Sequence, residues 1–198
     1  MGAIFQSLQR TIIAGVVLLV IMVALTTALS PANVAFGSHA WGAFVMRWLH
    51  VVFGVLWIGL LWYFNFVQIP SMPKIPDEQK PAISKVIAPT ALMWFRHAAL
   101  WTVITGLVLA TMNGYVVQAL TLQRPFTPIG IGMWMALIMA YNVWFIIWPN
   151  QKRALGIVQV DADTKAKSAR MAMLTSRFNT MFSIPMLFCM VAQQNGGF

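Results

Sequence analysis

Five long apolar stretches constrain the fold of this chain more than any other feature of its sequence. A helix needs about 20 apolar residues to cross the hydrocarbon core of a bilayer, where only helices and closed barrels satisfy their backbone polar groups. The stretches cover residues 11–30, 43–67, 87–112, 128–149 and 171–192. The chain is also 60% hydrophobic and 9% charged, unlike an ordinary soluble domain. We therefore predict an all-α integral membrane bundle of five transmembrane helices, with residues 1–198 forming a single domain.

The basic residues are concentrated in alternating loops, which predicts the orientation of the bundle. One side would carry Arg10, Lys74, Lys80, Lys85, Lys152, Arg153, Lys165, Lys167 and Arg170, whereas the loops of the other side carry only Arg124. By the positive-inside rule the N-terminus is cytoplasmic and the C-terminus, Gln193 to Phe198, is periplasmic. This distribution accounts for the net charge of +9 through contact with a lipid bilayer, without a nucleic acid partner.

Several metal and cofactor classes are disfavoured by the residue types present. Cys189 is the single cysteine, so a disulfide framework, a four-cysteine zinc site and a C-x-x-C-H attachment of c-type haem are all excluded. The sequence has no H-E-x-x-H motif, and the apolar stretches contain no carboxylate. These absences argue against zinc and di-iron sites.

Two histidines inside the apolar stretches point to b-type haem. His50 lies about 10 Å below the periplasmic edge and His97 about 15 Å from the cytoplasmic edge, at about 1.5 Å of rise per residue. Neutral imidazole is a common haem ligand, so the haem iron would be bound by His50, His97 or both. A hydrogen bond from each imidazole to a neighbouring carbonyl is the alternative, and the different depths count against one iron shared by both.

Other residues would complete a haem site around His50. Arg47 lies one helical turn nearer the periplasmic surface, and Gly54 lies one turn away on the same face. A glycine there leaves room for a flat ring to lie against the helix. Gly54 could equally serve ordinary helix packing, in which small residues are common.

A second group of polar residues is predicted in the cytoplasmic half of the bundle. It consists of Asn65, Arg96, His97, Asn142, Ser176, Arg177 and Asn179. Two arginines without a carboxylate in the apolar stretches need a partner, such as a haem propionate, a small organic anion, a quinone oxygen or a lipid phosphate. For Arg177, snorkelling to the lipid headgroups is the alternative.

Several blocks of the sequence resemble a known family. They are RWLH at residues 47–50, WIGL at 57–60, YFNFVQ at 63–68, NVWFIIWPNQK at 142–152, SRFNT at 176–180 and SIPMLF at 183–188. Together they resemble the N-terminal domain family of bacterial membrane-bound urate oxidase, also called urate hydroxylase. The resemblance covers about residues 41–192, and the W-P-N-Q-K and S-R-x-N-T blocks are its most specific parts.

The resemblance implies a function in purine metabolism at the bacterial inner membrane. Members of the family usually fuse this membrane domain to a C-terminal cytochrome c and are implicated in urate hydroxylation, with electrons leaving through the cytochrome. No C-x-x-C-H follows here, so either a separate cytochrome c takes its place or this chain does something else. Urate hydroxylation would need an anion site and a base, and in this chain Arg96 and Arg177 would hold the anion and His97 would act as the base. Asn65, Asn142, Arg177 and Asn179, which lie in the matched blocks, would contact substrate.

Two other function classes remain open from the sequence. The chain could be a non-catalytic accessory subunit of a larger respiratory or photosynthetic membrane complex, which its many aromatic and methionine residues favour. It could also be a small-molecule transporter that uses the inner polar residues. The absence of an inverted repeat argues against a transporter unless the chain forms a homo-oligomer.

Overall fold

The fold is described by a computed structural model, which covers residues 2–29 and 36–196. All regular elements in these ranges are helices, and no strand occurs among them. In chain order the helices are α1 (Gly2–Phe5), α2 (Leu8–Leu29), α3 (His39–Lys74), α4 (Lys80–Met112), α5 (Val116–Leu120), α6 (Thr127–Ala154) and α7 (Ala162–Asn195). The all-α prediction is therefore confirmed.

The chain divides into two compact units, Met1–Gly42 and Ala43–Phe198. In the first unit, α2 spans 22 residues and buries none of its side chains. The hydroxyls of Thr26 and Thr27 donate to backbone carbonyls of the preceding turn, at 2.8 Å each. This satisfies their polar atoms within the helix, as an apolar environment requires. The last residue of the predicted first stretch, Ser30, lies outside the described residues.

Four helices are long and apolar enough to cross a membrane: Leu8–Leu29, His39–Lys74, Lys80–Met112 and Thr127–Ala154. They correspond to the first four predicted stretches. The fifth stretch, residues 171–192, lies within α7, a helix of 34 residues. This helix is long enough to span, but its hydropathy is lowered by the exposed Arg177 and by buried polar residues such as Asn179 and Ser183. The number of five spans is not confirmed by these criteria.

Three of the long helices contain a π-helical segment immediately before a proline. The segments are Tyr63–Gln68, Ile83–Ile87 and Asn142–Ile147, and the prolines are Pro70, Pro89 and Pro149. Proline lacks an N–H and its ring clashes with the carbonyl four residues earlier. In each segment a backbone N–H bonds instead to the carbonyl five residues before it. The wider turn keeps the helix continuous past the proline.

This wider turn explains why the predicted start of the third stretch was wrong. The sequence predicted a helix from residue 87, with Pro89 in its first turn. The helix instead begins at Lys80 and carries Pro89 in its interior, since the segment Ile83–Ile87 accommodates the ring. Only residues 75–79 separate α3 from α4.

The core of the second unit is built by α3, α4, α6 and α7. Its largest fully buried side chains include Trp57 and Leu61 of α3, Phe95 of α4 and Met139 of α6. Phe64 and Phe95 meet edge to face, with ring centroids 5.7 Å apart. Because the π-helical parts of α3 and α6 lie beside this core, the polar side chains of those segments are brought to the same half of the bundle.

Candidate functional site

His50 of α3 lies against α4, and it forms the hydrogen bond to a backbone carbonyl that the sequence left open as the alternative to haem. Its Nδ1 lies 2.9 Å from the carbonyl oxygen of Thr102 and 3.4 Å from the hydroxyl of Thr105. A Cβ built on Gly106 would lie 2.7 Å from Cε1 of His50. Real Cβ atoms do not approach that closely, so only a glycine at position 106 lets the imidazole lie against α4.

Gly54, the glycine that the sequence singled out beside His50, has a different role. A Cβ built on it would meet only the methyl group of Thr102, at 3.9 Å, which is an ordinary packing distance. The space for the imidazole of His50 therefore comes from α4 and not from a glycine on its own helix. The predicted role of Gly54, to leave room for a haem ring, stays a prediction.

Arg47 lies on the same helix as His50, and its side chain is exposed. Its positive charge reaches Tyr115, in the short connection after α4. Burial raises the pKa of the Tyr115 phenol, and the charge of Arg47 partly offsets that rise. Tyr115 also stacks on Phe126, with ring centroids 5.1 Å apart. Arg47 thus lies near the connection between α4 and α6.

His97 is exposed on α4, and its Nδ1 lies 2.8 Å from the carbonyl oxygen of Met93. The His97 ring leans back towards residue 93, whereas His50 contacts α4 at residues 102–106. Nine residues of helix separate Met93 from Thr102, which is about 14 Å along the axis. The two imidazoles therefore lie at different levels, and a single iron bound by both does not fit.

The protonation of the two rings follows from their partners. A carbonyl oxygen can only accept a hydrogen bond, so Nδ1 of His50 and Nδ1 of His97 each carry the hydrogen. In the neutral ring Nε2 then holds the free lone pair. Histidines that ligate metals commonly have this arrangement, because the bond to the other nitrogen fixes the tautomer.

The predicted inner polar residues form hydrogen bonds between helices. Asn142 donates to the side-chain oxygen of Asn179 at 2.8 Å, and Asn179 donates to the carbonyl of Met139 at 2.9 Å. Asn65 donates to the hydroxyl of Ser176 at 2.8 Å. These bonds tie α7 to α6 and to α3.

Arg177 and Arg96 are placed very differently. The side chain of Arg177 is exposed, although its neighbour Ser176 is buried. Arg96 is only 9% exposed, and the central carbon of its guanidinium lies 3.4 Å from the ring centroid of Trp148. The same carbon lies 6.0 Å from the ring of Trp144. The structure therefore brings Arg96, but not Arg177, into the protein interior.

The buried arginine has no hydrogen-bond partner for two of its nitrogens. Nε and Nη1 of Arg96 are buried and unbonded among the described residues, as is the indole N–H of Trp144. Three amide oxygens in the same half are also buried and unbonded: those of Asn65, Gln68 and Gln151. Gln68, Trp144, Trp148 and Gln151 were missed by the sequence reasoning, although polar or amphipathic residues near the prolines of α3 and α6 were a visible signal.

The model of the family described as Urate oxidase N-terminal matches residues 116–196. This match confirms the resemblance to the urate oxidase N-terminal family. No curated protein and no solved structure matches the chain.

The matched region of the urate oxidase N-terminal family covers α5, α6 and α7. It therefore includes Asn142, Trp148 and Asn179 but ends short of α3 and α4. His50, Arg96 and His97 lie outside the match. The resemblance of the blocks at 47–50, 57–60 and 63–68 rests on their sequence alone.

The described residues contain no group of three or more His, Cys, Asp or Glu side chains placed to hold a metal ion. The sites that can be argued from the geometry are therefore two: the imidazole of His50 packed against Gly106, and the unpaired donors of Arg96 and Trp144.

Proposed function

We propose that this chain is the membrane domain of a urate-hydroxylase-like redox protein, which binds a planar organic anion at Arg96 and b-type haem at His50. The observation that carries the proposal is the buried, unpaired guanidinium of Arg96. The match to the urate oxidase N-terminal family supports urate as that anion.

The need for an anion follows from the charges in the chain. A buried charge without a partner costs several kcal/mol. The four carboxylates, Asp77, Glu78, Asp161 and Asp163, lie in the connections or in the first turn of α7. Asp77 and Asp163 pair with nearby lysines at the surface. The negative charge that balances Arg96 must therefore come from a bound anionic ligand or from an anion that enters with water.

The unpaired atoms also indicate the chemistry of the ligand. The guanidinium carbon of Arg96 lies 3.4 Å from the ring centroid of Trp148 and 6.0 Å from that of Trp144. The unbonded nitrogens of Arg96 and the indole N–H of Trp144 offer donors. The carbonyl oxygens of a urate anion suit such donors. The roles of His97 as a base and of Arg177 in holding the anion stay proposals without a contact that supports them.

Replacing Arg96 with glutamine is expected to raise the dissociation constant for urate at least about tenfold, since a hydrogen bond to a charged group is worth about 1.5–3 kcal/mol. Arg96→Lys should be intermediate, because it keeps the charge but loses the planar fork. Equilibrium dialysis with radiolabelled urate, on the purified chain in nanodiscs, measures both. Arg170→Gln, an exposed arginine on α7, is the control and should bind like the original chain. Equal binding by Arg96→Gln would refute the anion site.

Haem is supported by the seat of His50. Nδ1 is fixed by Thr102, Nε2 keeps its lone pair, and Gly106 gives the imidazole its space. These residues would hold haem through Nε2 of His50, and haem bound there would supply one-electron transfer. Because His97 lies at another level of α4, we assign it no share in the same iron.

We further propose five spans, with α7 as the fifth, a cytoplasmic N-terminus and a periplasmic C-terminus in a bacterial inner membrane. Hydrogen bonds from Asn65, Asn142 and Trp62 to α7 satisfy its inner polar residues, so that helix can lie in hydrocarbon despite them. Alkaline phosphatase fused after Phe198 should be active, because that enzyme folds only in the periplasm. Fluorescence from a green fluorescent protein fused at the same position would instead place the C-terminus in the cytoplasm and contradict the proposal.

An accessory subunit of a larger membrane complex is the second candidate function. It is favoured by α2, which buries none of its side chains in the isolated chain and could pack against another polypeptide. A cytochrome c is the electron acceptor we propose for the redox function. If the chain purifies alone, binds urate and contains haem without a second polypeptide, the accessory function is refuted.

A further inference from the structure

A groove between α3 and α4 contains an imidazole that the anion and haem sites do not use. The groove consists of two adjoining cavities of about 470 and 330 Å³, which share Leu56 of α3 and Trp94 of α4. Sites for small ligands typically enclose about 300–1,000 Å³. The larger cavity is lined by aliphatic side chains and the smaller one by aromatic side chains and His97.

The groove lies in the part of the chain that would face hydrocarbon. It is formed by helices long and apolar enough to span a membrane, at residues well inside both of them. Trp94 is 54% exposed and Trp101 is 46% exposed. Phe53 and Trp101 stack at one end, with ring centroids 6.1 Å apart, and offer an aromatic surface. A ligand of this groove would therefore reach it from the lipid and not from water.

His97 gives the groove one hydrogen-bond acceptor. Its Nδ1 hydrogen is donated to the carbonyl of Met93, so Nε2 presents a lone pair. Thr90, in the other cavity, donates its hydroxyl to the carbonyl of Val86 at 3.2 Å. A lipid acyl chain in the groove would leave Nε2 of His97 without a donor in an apolar medium, at a cost. A ligand with a hydroxyl group removes that cost.

We propose that this groove binds a membrane quinol, with one quinol hydroxyl donating to Nε2 of His97. The aromatic headgroup would lie beside Phe53 and Trp101, and the apolar tail would follow the aliphatic cavity past Leu56. This inference goes beyond the anion and haem sites and does not rest on them. It gives the chain a lipid-soluble partner, and it assigns His97 a role other than iron ligation.

Photolabelling of the full chain in phosphatidylcholine nanodiscs tests the inference. An azido-substituted quinol should label the peptide of α4 that contains Trp94 and Trp101, and decylubiquinol should compete with it. In His97→Phe the concentration of decylubiquinol that halves the labelling should rise about fivefold. In His97→Gln, which keeps an acceptor, the rise should be smaller. His39→Gln, a histidine at the start of α3, is the matched control and should behave like the original chain.

The dimethyl ether of decylubiquinol separates a hydrogen bond from apolar filling. The ether lacks the hydroxyl donor, so it should compete more weakly than the quinol in the original chain. In His97→Phe, which has no acceptor, the ether and the quinol should compete equally well. Equal competition by quinol and ether in the original chain would show that the groove holds acyl chains only, and the inference would fall. It would also fall if labelling lies outside α4 or if His97→Phe, eluting as a monodisperse species, competes like the original chain.

Discussion

Replacing Gly130 with alanine is expected to lower the midpoint of thermal unfolding by about 5–10 °C, the largest stability effect we predict for one methyl group. A Cβ at this position would collide with the backbone carbonyl of Ala119, and it would also lie 2.9 Å from the side chain of Leu122. Because the carbonyl belongs to the main chain of α5, a side-chain rotation cannot relieve the collision. The short helix α5 must then move away from α6.

The matched control for this prediction is Gly59→Ala. Gly59 is helical like Gly130, but a Cβ built on it would have nothing within 4 Å. Alanine stabilises a helix relative to glycine by about 1 kcal/mol, so this variant should be as stable as the original chain or slightly more so. Unfolding in detergent, followed by the loss of the monodisperse peak after heating, measures both variants. An unchanged midpoint for Gly130→Ala would show that the Ala119 carbonyl of α5 does not lie against Gly130 of α6.

Replacing His50, or the Gly106 against which its imidazole packs, is expected to abolish haem binding. His50→Ala deletes the proposed ligand, and Gly106→Val puts a side chain where Cε1 of His50 lies. Both variants should lose the pyridine haemochrome signal. His97→Ala should keep it, since His97 bonds to the Met93 carbonyl, about 14 Å along α4 from the Thr102 carbonyl that His50 contacts. Haem retained by both His50→Ala and Gly106→Val would refute the assignment.

A matched control keeps this result separate from unfolding. Gly59→Ala and His39→Ala change a glycine and a histidine elsewhere on α3, and both should keep their haem. If Gly106→Val loses haem but elutes as a monodisperse species, the loss comes from the displaced imidazole. Loss of haem in His97→Ala alone would instead show that His97 binds the iron. Its Nε2 would then not accept from a quinol, and the quinol site would be refuted as well.

The spans of this fold were predictable because apolar length alone decides them. The first four stretches correspond to helices, and the end of α4 at Met112 agrees with its predicted bound. The start of α4 was not predicted, since the rule that proline ends a helix ignores the wider turn that precedes Pro89. All three π-helical segments stand before such a proline, but Pro185 lies inside α7 without one, so a proline alone does not predict the wider turn.

The site was predictable in its residue types but not in its partners. Arg96 and Arg177 both lie in the apolar stretches without a carboxylate, but only Arg96 is buried, with two of its nitrogens unpaired. The pairing of His50 with Gly106 depends on how α3 packs on α4, a contact between residues 56 positions apart that no local pattern reveals. For the same reason Asn142 and Asn179, predicted to contact substrate, could not be foreseen as partners of each other.

The central claim is that this chain is a membrane redox protein that holds b-type haem at His50. The most direct test is a dithionite-reduced minus oxidised absorption spectrum of the purified full chain. We predict a b-type band, together with a pyridine haemochrome that gives one haem per chain. A spectrum without that band, from a monodisperse sample made in cells supplied with haem, would contradict the claim.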